Sequence, residues 1–149
     1  MMRISKLTDY GIVLLAHVAR DPSGQLHSAR DLAERARLPL PTVSKLLKAF
    51  VGAGILVSHR GTRGGYALAR PPEQVTVSEI IASVEGPIAI TECGSGAGQC
   101  GLESGCATRS NWGRISRTVQ SALEALTLAD MAHPLPTGWN GSASLKEAR

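Results

Sequence analysis

Aromatic residues are nearly missing: Phe, Trp and Tyr supply 3% of the 149 residues, within a hydrophobic content of 43%. A core must therefore be built from Leu, Ile, Val and Ala, a mixture that favours helices. No stretch reaches the roughly 18 to 20 uninterrupted apolar residues that a membrane span needs. The short apolar run at the start is broken by Asp9 and Tyr10 and followed by no small-residue cleavage site, so a signal peptide is not expected. No internal repeat, Ser/His/Asp set, phosphate loop or carboxylate pair stands out, and an enzyme is not expected. Cysteine is absent except for Cys93, Cys100 and Cys106. The reading is a soluble, cytoplasmic protein whose thiols are kept reduced.

Acidic residues are scarce in the first half. Residues 1–70 hold 11 Lys and Arg against 4 Asp and Glu, a balance of +7, whereas residues 71–149 hold 5 against 8, a balance of −3. Affinity for a polyanion should sit in the first half.

The chain then divides by its turn residues. An apolar face over Tyr10, Ile12, Val13, Leu14, Ala16 and Val18 predicts a first helix, Thr8 to Arg20, with Thr8 as N-cap. Ser28, followed three residues later by Asp31, predicts a second helix from Ala29 to Ala36. Pro39 and Pro41 forbid its continuation, and Pro41 suits the first position of a third helix stopped at Gly54. Short helix, tight turn and longer helix are the order of a helix-turn-helix. Ile55 to His59 and Tyr66 to Ala69 read as strands around the basic, glycine-rich Arg60–Gly65, a wing. Thr76 or Ser78 can cap a fourth helix that ends at Gly86. From Asn111, Trp112, Ile115, Val119, Ala122 and Leu126 recur at steps of 3, 4, 3 and 4, the period of a coiled-coil seam that needs a partner.

The fold class expected is mainly α: a winged helix-turn-helix with a small two-stranded wing and a long C-terminal dimerisation helix. The divisions are 1–86 for the winged-helix domain, 87–110 for a cysteine-containing loop, 111–133 for the dimerisation helix and 134–149 for a flexible tail. A recognition helix presents its N-terminal residues to base edges, which makes Thr42, Ser44 and Lys45 the candidates for reading and Lys48 for phosphate contact. Ser28 at a helix start, with Arg60, Thr62 and Arg63 on the wing, could hold phosphates or enter the minor groove. Singly, these residues read equally well as a solvated basic face. Their agreement with the helix order, the wing and the charged half points to double-stranded DNA.

Cys93, Cys100 and Cys106 are separated by six and five residues, in a segment containing five glycines between Thr91 and Ser110. Thiolates select zinc, copper(I) or iron-sulfur clusters, and these spacings exceed the paired knuckles of structural zinc sites. Zinc with a distant ligand and a metal-free thiol switch stay open beside a cluster. None of the four histidines lies in this segment, so a fourth ligand must come from Glu92, Glu103 or, from a partner chain, Asp9. Asp9 is equally readable as a first-turn charge that complements the helix dipole. A carrier of iron-sulfur clusters is the rival reading of the same loop.

Five segments carry a family resemblance: MRISKLTDYG at the start, LPTVSKLLKAF, RGTRGGYALARP, VSEIIASVEGP and CATRSNW. Over about residues 2–131 the chain resembles the IscR/NsrR/RirA family of winged-helix iron-sulfur regulators, and within it the regulators of the SUF assembly system. The resemblance implies a homodimer formed through the long helix after the cysteine loop, a palindrome-like operator and control, as a repressor, of iron-sulfur assembly genes. Where IscR-like members carry a His three residues after the third cysteine, this chain has Arg109. Asp9 stands where NsrR-like members supply a ligand from the partner chain, so the resemblance favours a 4Fe-4S cluster over 2Fe-2S. The short polar residues of the recognition helix differ from those of IscR, so no operator sequence carries over.

Overall fold

The computed structural model describes residues 4–92, 98, 100, 101 and 104–133. Helix α1 (Lys6–Arg20) starts earlier than its apolar pattern suggests, because Ser5 and not Thr8 is the N-cap: Ser5 Oγ accepts the Thr8 amide at 3.2 Å. Thr8 is fully buried in the first turn, and its hydroxyl donates to Glu85 Oε1 at 2.5 Å. The Ser5 amide donates to the same oxygen at 3.0 Å. The start of α1 is thereby tied to the end of α4 (Val77–Glu85). These bonds from Thr8 and Ser5 hold the Glu85 carboxyl below its ordinary value.

Helix α2 (Ala29–Ala36) has the expected bounds, with Ser28 Oγ accepting the Asp31 amide at 3.0 Å. Arg37 closes it in the left-handed conformation, and α3 (Leu40–Gly52) follows with Pro41 in its second position rather than its first. The inward face of α3, Val43, Leu46, Leu47 and Phe50, is buried against α1 and α2. At the α1–α3 crossing a Cβ on Gly11 would lie 2.9 Å from Phe50 Cζ, so a larger residue would have to push the buried Phe50 ring aside.

The wing strands β1 (Leu56–His59) and β2 (Gly65–Leu68) pair antiparallel, from Leu56 opposite Leu68 to His59 opposite Gly65. Each starts one residue from the expected position. The sequence gives no sign of a third participant: His27, 2% exposed, exchanges both backbone hydrogen bonds with Tyr66, at 2.9 and 2.8 Å. A Cβ on Gly65 would fall 2.7 Å from the His27 carbonyl oxygen, so glycine is required where the three segments meet. The side chains behind this junction are fixed by the Arg35–Asp21 ion pair at 2.6 Å, which holds the Asp21 carboxyl below its ordinary value.

Thr76 caps α4 in a full capping box with Glu79, while Ser78, the alternative cap, is buried in the first turn. The single long helix expected over 111–133 is two elements: α5 (Arg109–Glu124) and α6 (Leu128–Ala132). Thr127 and Asp130 form a second capping box that starts α6, so the chain breaks at Ala125 although the seam spacing runs on to Leu126. The break lets the chain return to the head. Val77 N donates to Leu126 O at 2.9 Å and Leu128 N to Val75 O at 2.7 Å, and Leu128, fully buried, completes the core of the first 86 residues. Arg20 Nε closes the contact on Ala132 O at 2.8 Å. The tail expected over 134–149 lies outside the described residues.

Candidate functional site

The α3 face opposite the core is open. Ser44, Lys45 and Lys48 are exposed and Thr42 is half-buried beside them, while Pro39 precedes the helix without a side-chain cap. The first turn carries no acidic residue, so nothing offsets the two lysines. Ser28 is exposed at the α2 start, its hydroxyl engaged by the Asp31 amide. Arg60, Thr62 and Arg63 are all exposed in the five-residue connection between β1 and β2. Gly64 makes this connection possible, since a Cβ there would stand 2.2 Å from the His59 carbonyl oxygen. Among the described residues, Lys45, Lys48, Arg60 and Arg63 enter no ion pair with an acidic side chain. A free row of cations on a helix, flanked by a cationic wing, can engage phosphates, with the short side chains of Thr42 and Ser44 permitting close approach.

The chain leaves α4 through Gly86 towards the cysteines, with Ile88 packed on the core and Ile90 N within 3.5 Å of Ser116 Oγ on α5. Cys93 and Glu103 lie outside the described residues. Cys100 and Cys106 are free, partly exposed thiols. Cys106 sits two residues before Thr108, the N-cap of α5, with its sulfur 3.3 Å from the Thr108 hydroxyl. That hydroxyl and the Thr108 amide, helped by the Arg109 amide and charge, hold the Cys106 thiol below its ordinary value against a smaller effect of burial.

Asp9 projects from the first turn of α1 as an exposed carboxylate. Among the described residues no three His, Cys, Asp or Glu side chains converge within one chain, so Asp9 is not brought to Cys100 and Cys106 there. The donors themselves suit a thiophilic centre: two partly exposed thiols outside any disulfide, and an exposed carboxylate that enters no ion pair among the described residues. Among the described residues no helix is long and apolar enough to cross a membrane.

The open seam of α5 is the remaining feature. Trp112 and Ile115 are exposed by 39% and 44% along it, and Leu126, just past its end, by 43%, apolar surface that a partner could cover.

Comparison with known proteins agrees with this geometry. The family described as Rrf2, iron-dependent transcriptional regulator, matches residues 4–134. The rrf2 protein of Nitratidesulfovibrio vulgaris is 30% identical over 130 residues, 87% of each chain. Among solved structures, CymR, the global cysteine regulator of B. subtilis, is 28% identical, with a TM-score of 0.68 over 89% of this chain and 97% of its own. IscR of T. potens is also 28% identical, with a TM-score of 0.66 over 87% and 85%. These relatives are regulators rather than enzymes, and the mainly helical winged-helix fold is shared with them. With a family match spanning nearly the whole described chain, this protein belongs to the Rrf2 family of transcriptional regulators.

Proposed function

We propose that the protein is a cytoplasmic, homodimeric repressor of iron-sulfur assembly genes, which binds a palindrome-like double-stranded operator and reads iron-sulfur or redox status. Its cluster ligands are Cys93, Cys100 and Cys106 of one chain with Asp9 of the partner, in a 4Fe-4S site rather than a 2Fe-2S site. DNA is met by Thr42, Ser44, Lys45 and Lys48 of α3, by Ser28 at the start of α2 and by Arg60, Thr62 and Arg63 of the wing. The observation that carries the reading is the position of Cys106 just ahead of α5, a helix that packs on α4, meets the preceding segment at its middle through Ile90–Ser116, and is tied to the head just past its end by Val77–Leu126.

When bound, a cluster would join the thiolates into one centre that oxidants, nitric oxide or iron shortage can dismantle. The protein's part is mechanical. Trp112, Ile115, Val119 and Ala122 of α5, with Leu126 just past its end, pack on the same residues of a second chain. The packing of α5 on α4 and the Val77–Leu126 bond pass its orientation to the head, and through the Ser5–Thr8–Glu85 contact to the start of α1, where Asp9 sits. Two recognition helices are then held for half-sites about 34 Å apart. A cluster shifts DNA binding only by the difference in its affinity for the two arrangements.

The test is anaerobic purification with visible absorption and iron and sulfide counts, on wild type, Asp9→Ala and Cys100→Ala. A brown wild type with about four irons per chain, labile in both variants, supports the reading. The free, partly exposed thiols of Cys100 and Cys106 favour a second one, a thiol switch without metal. A colourless wild type whose operator binding follows added thiol reductant would establish it.

A further inference from the structure

One part of the DNA-facing surface is neither charged nor polar. Pro39, Leu40 and Pro41 are consecutive, apolar and exposed at the tip of α3, and Leu40 is 40% exposed. Leu38, two residues earlier, packs on the core, whereas Leu40 is not among the residues packed there. Exposure of a leucine at this point is therefore not a by-product of folding the turn.

Its position is informative. Leu40, Ser44 and Lys48 follow one another at intervals of four, and Pro41 and Lys45 form the neighbouring row, so Leu40 lies at the N-terminal end of the same exposed stripe that carries the cations. From Leu40 to Lys48 the stripe is about 12 Å long, close to the width of the major groove. The tip is also poor in donors. Pro39 and Pro41 have no amide hydrogen, and no side chain caps the helix, in contrast to the Ser28 start of α2. It is badly suited to hold a phosphate.

On the major-groove edge the apolar group available is the 5-methyl of thymine. We propose that the hydrocarbon tip Pro39–Leu40–Pro41 seats the 5-methyl group of one thymine in each operator half-site, which makes Leu40 a specificity-determining residue. The lysines of the stripe bind any duplex, whereas Leu40 favours a T·A pair in one orientation. The inference rests on the DNA-binding reading above.

The test begins with the full-length protein, as purified anaerobically, and an operator selected from a randomised duplex pool. Each thymine of that operator is then replaced by deoxyuridine, which keeps the O4 acceptor and removes only the methyl. One position per half-site should weaken binding about fourfold, and both symmetric positions together about fifteenfold, the effect of about one buried methyl each. Leu40→Ala should bind the thymine operator more weakly and be indifferent to deoxyuridine at those positions, while Lys48→Ala keeps the thymine preference. Circular dichroism and melting of the Leu40→Ala variant, expected to match wild type because the side chain is exposed, guard against an effect of misfolding. Binding unaffected by deoxyuridine at every position, or Leu40→Ala as sensitive as wild type, overturns the proposal and leaves the DNA-binding reading standing. Selection of no duplex at all overturns both.

Discussion

Replacing Leu128 by Ala tests whether the head is complete without the segment that follows the long helix. The side chain is fully buried in the core shared by α1, α3 and α4. The change removes about three methylene equivalents, roughly 2.4 kcal/mol of transfer free energy, and leaves a cavity. Collapse into that cavity is resisted by the backbone, since Leu128 N is held by Val75 O at 2.7 Å and Leu126 O by Val77 N at 2.9 Å. A loss of about 3 to 4 kcal/mol is expected. With a urea m-value of about 2 kcal/mol/M, the unfolding midpoint should fall by roughly 1.5 to 2 M. The assay is urea unfolding followed by circular dichroism at matched chain concentration, because association would itself add stability. Met131→Ala, at a side chain 41% exposed on the same short helix, is the control and should shift the midpoint by less than a third as much. Equal shifts for the two variants would refute the claim that α6 is part of the head's core.

Three further outcomes follow from the same contacts. Gly65→Ala must displace the His27 backbone, so it should destabilise the wing and weaken operator binding at least tenfold while leaving helical circular dichroism nearly intact; unchanged affinity would contradict the three-segment junction. Lys48→Ala should weaken binding to all duplexes alike and reduce the slope of log affinity against log salt by about one, and an unchanged slope would remove Lys48 from the phosphate contacts. Glu85 and Asp21 have carboxyl values lowered on folding, by Thr8 and Ser5 and by Arg35 respectively. Their contribution to stability is therefore present above the unfolded-state values and lost as pH falls through the folded ones. The difference in melting temperature between wild type and Glu85→Gln should therefore be level from about pH 7 to 5 and shrink below about pH 4; a difference that does not change with pH would show that the Glu85 charge contributes nothing.

The helix-turn-helix was legible because its signals are local. Ser28 ahead of Asp31, Pro39 and Pro41, and Gly54 each act within a few residues, and they mark α2 and α3 to within a residue. The wing was legible for the same reason, but His27 was not, since it joins the wing through backbone bonds that no side-chain pattern reveals. Thr8 opens the apolar pattern and so reads as a cap from sequence alone. Its partner Glu85 lies 77 residues away, and only the fold shows that Thr8 is buried and Ser5 is the cap. The break after Glu124 had a visible sign, Thr127 ahead of Asp130, of the kind that located α2. The seam period masked it, because periodicity measures a helix face and not where the chain turns back. The cysteine segment has almost no apolar residues to fix its path, so spacing could name donors without placing them.

Operator affinity of one anaerobic preparation, titrated before and after removal of its cluster, reads the coupling between cluster and DNA binding itself. The two forms should differ by at least about tenfold, and Asp9→Ala should narrow the difference. Superimposable titrations from a protein shown to carry iron and sulfide would contradict it.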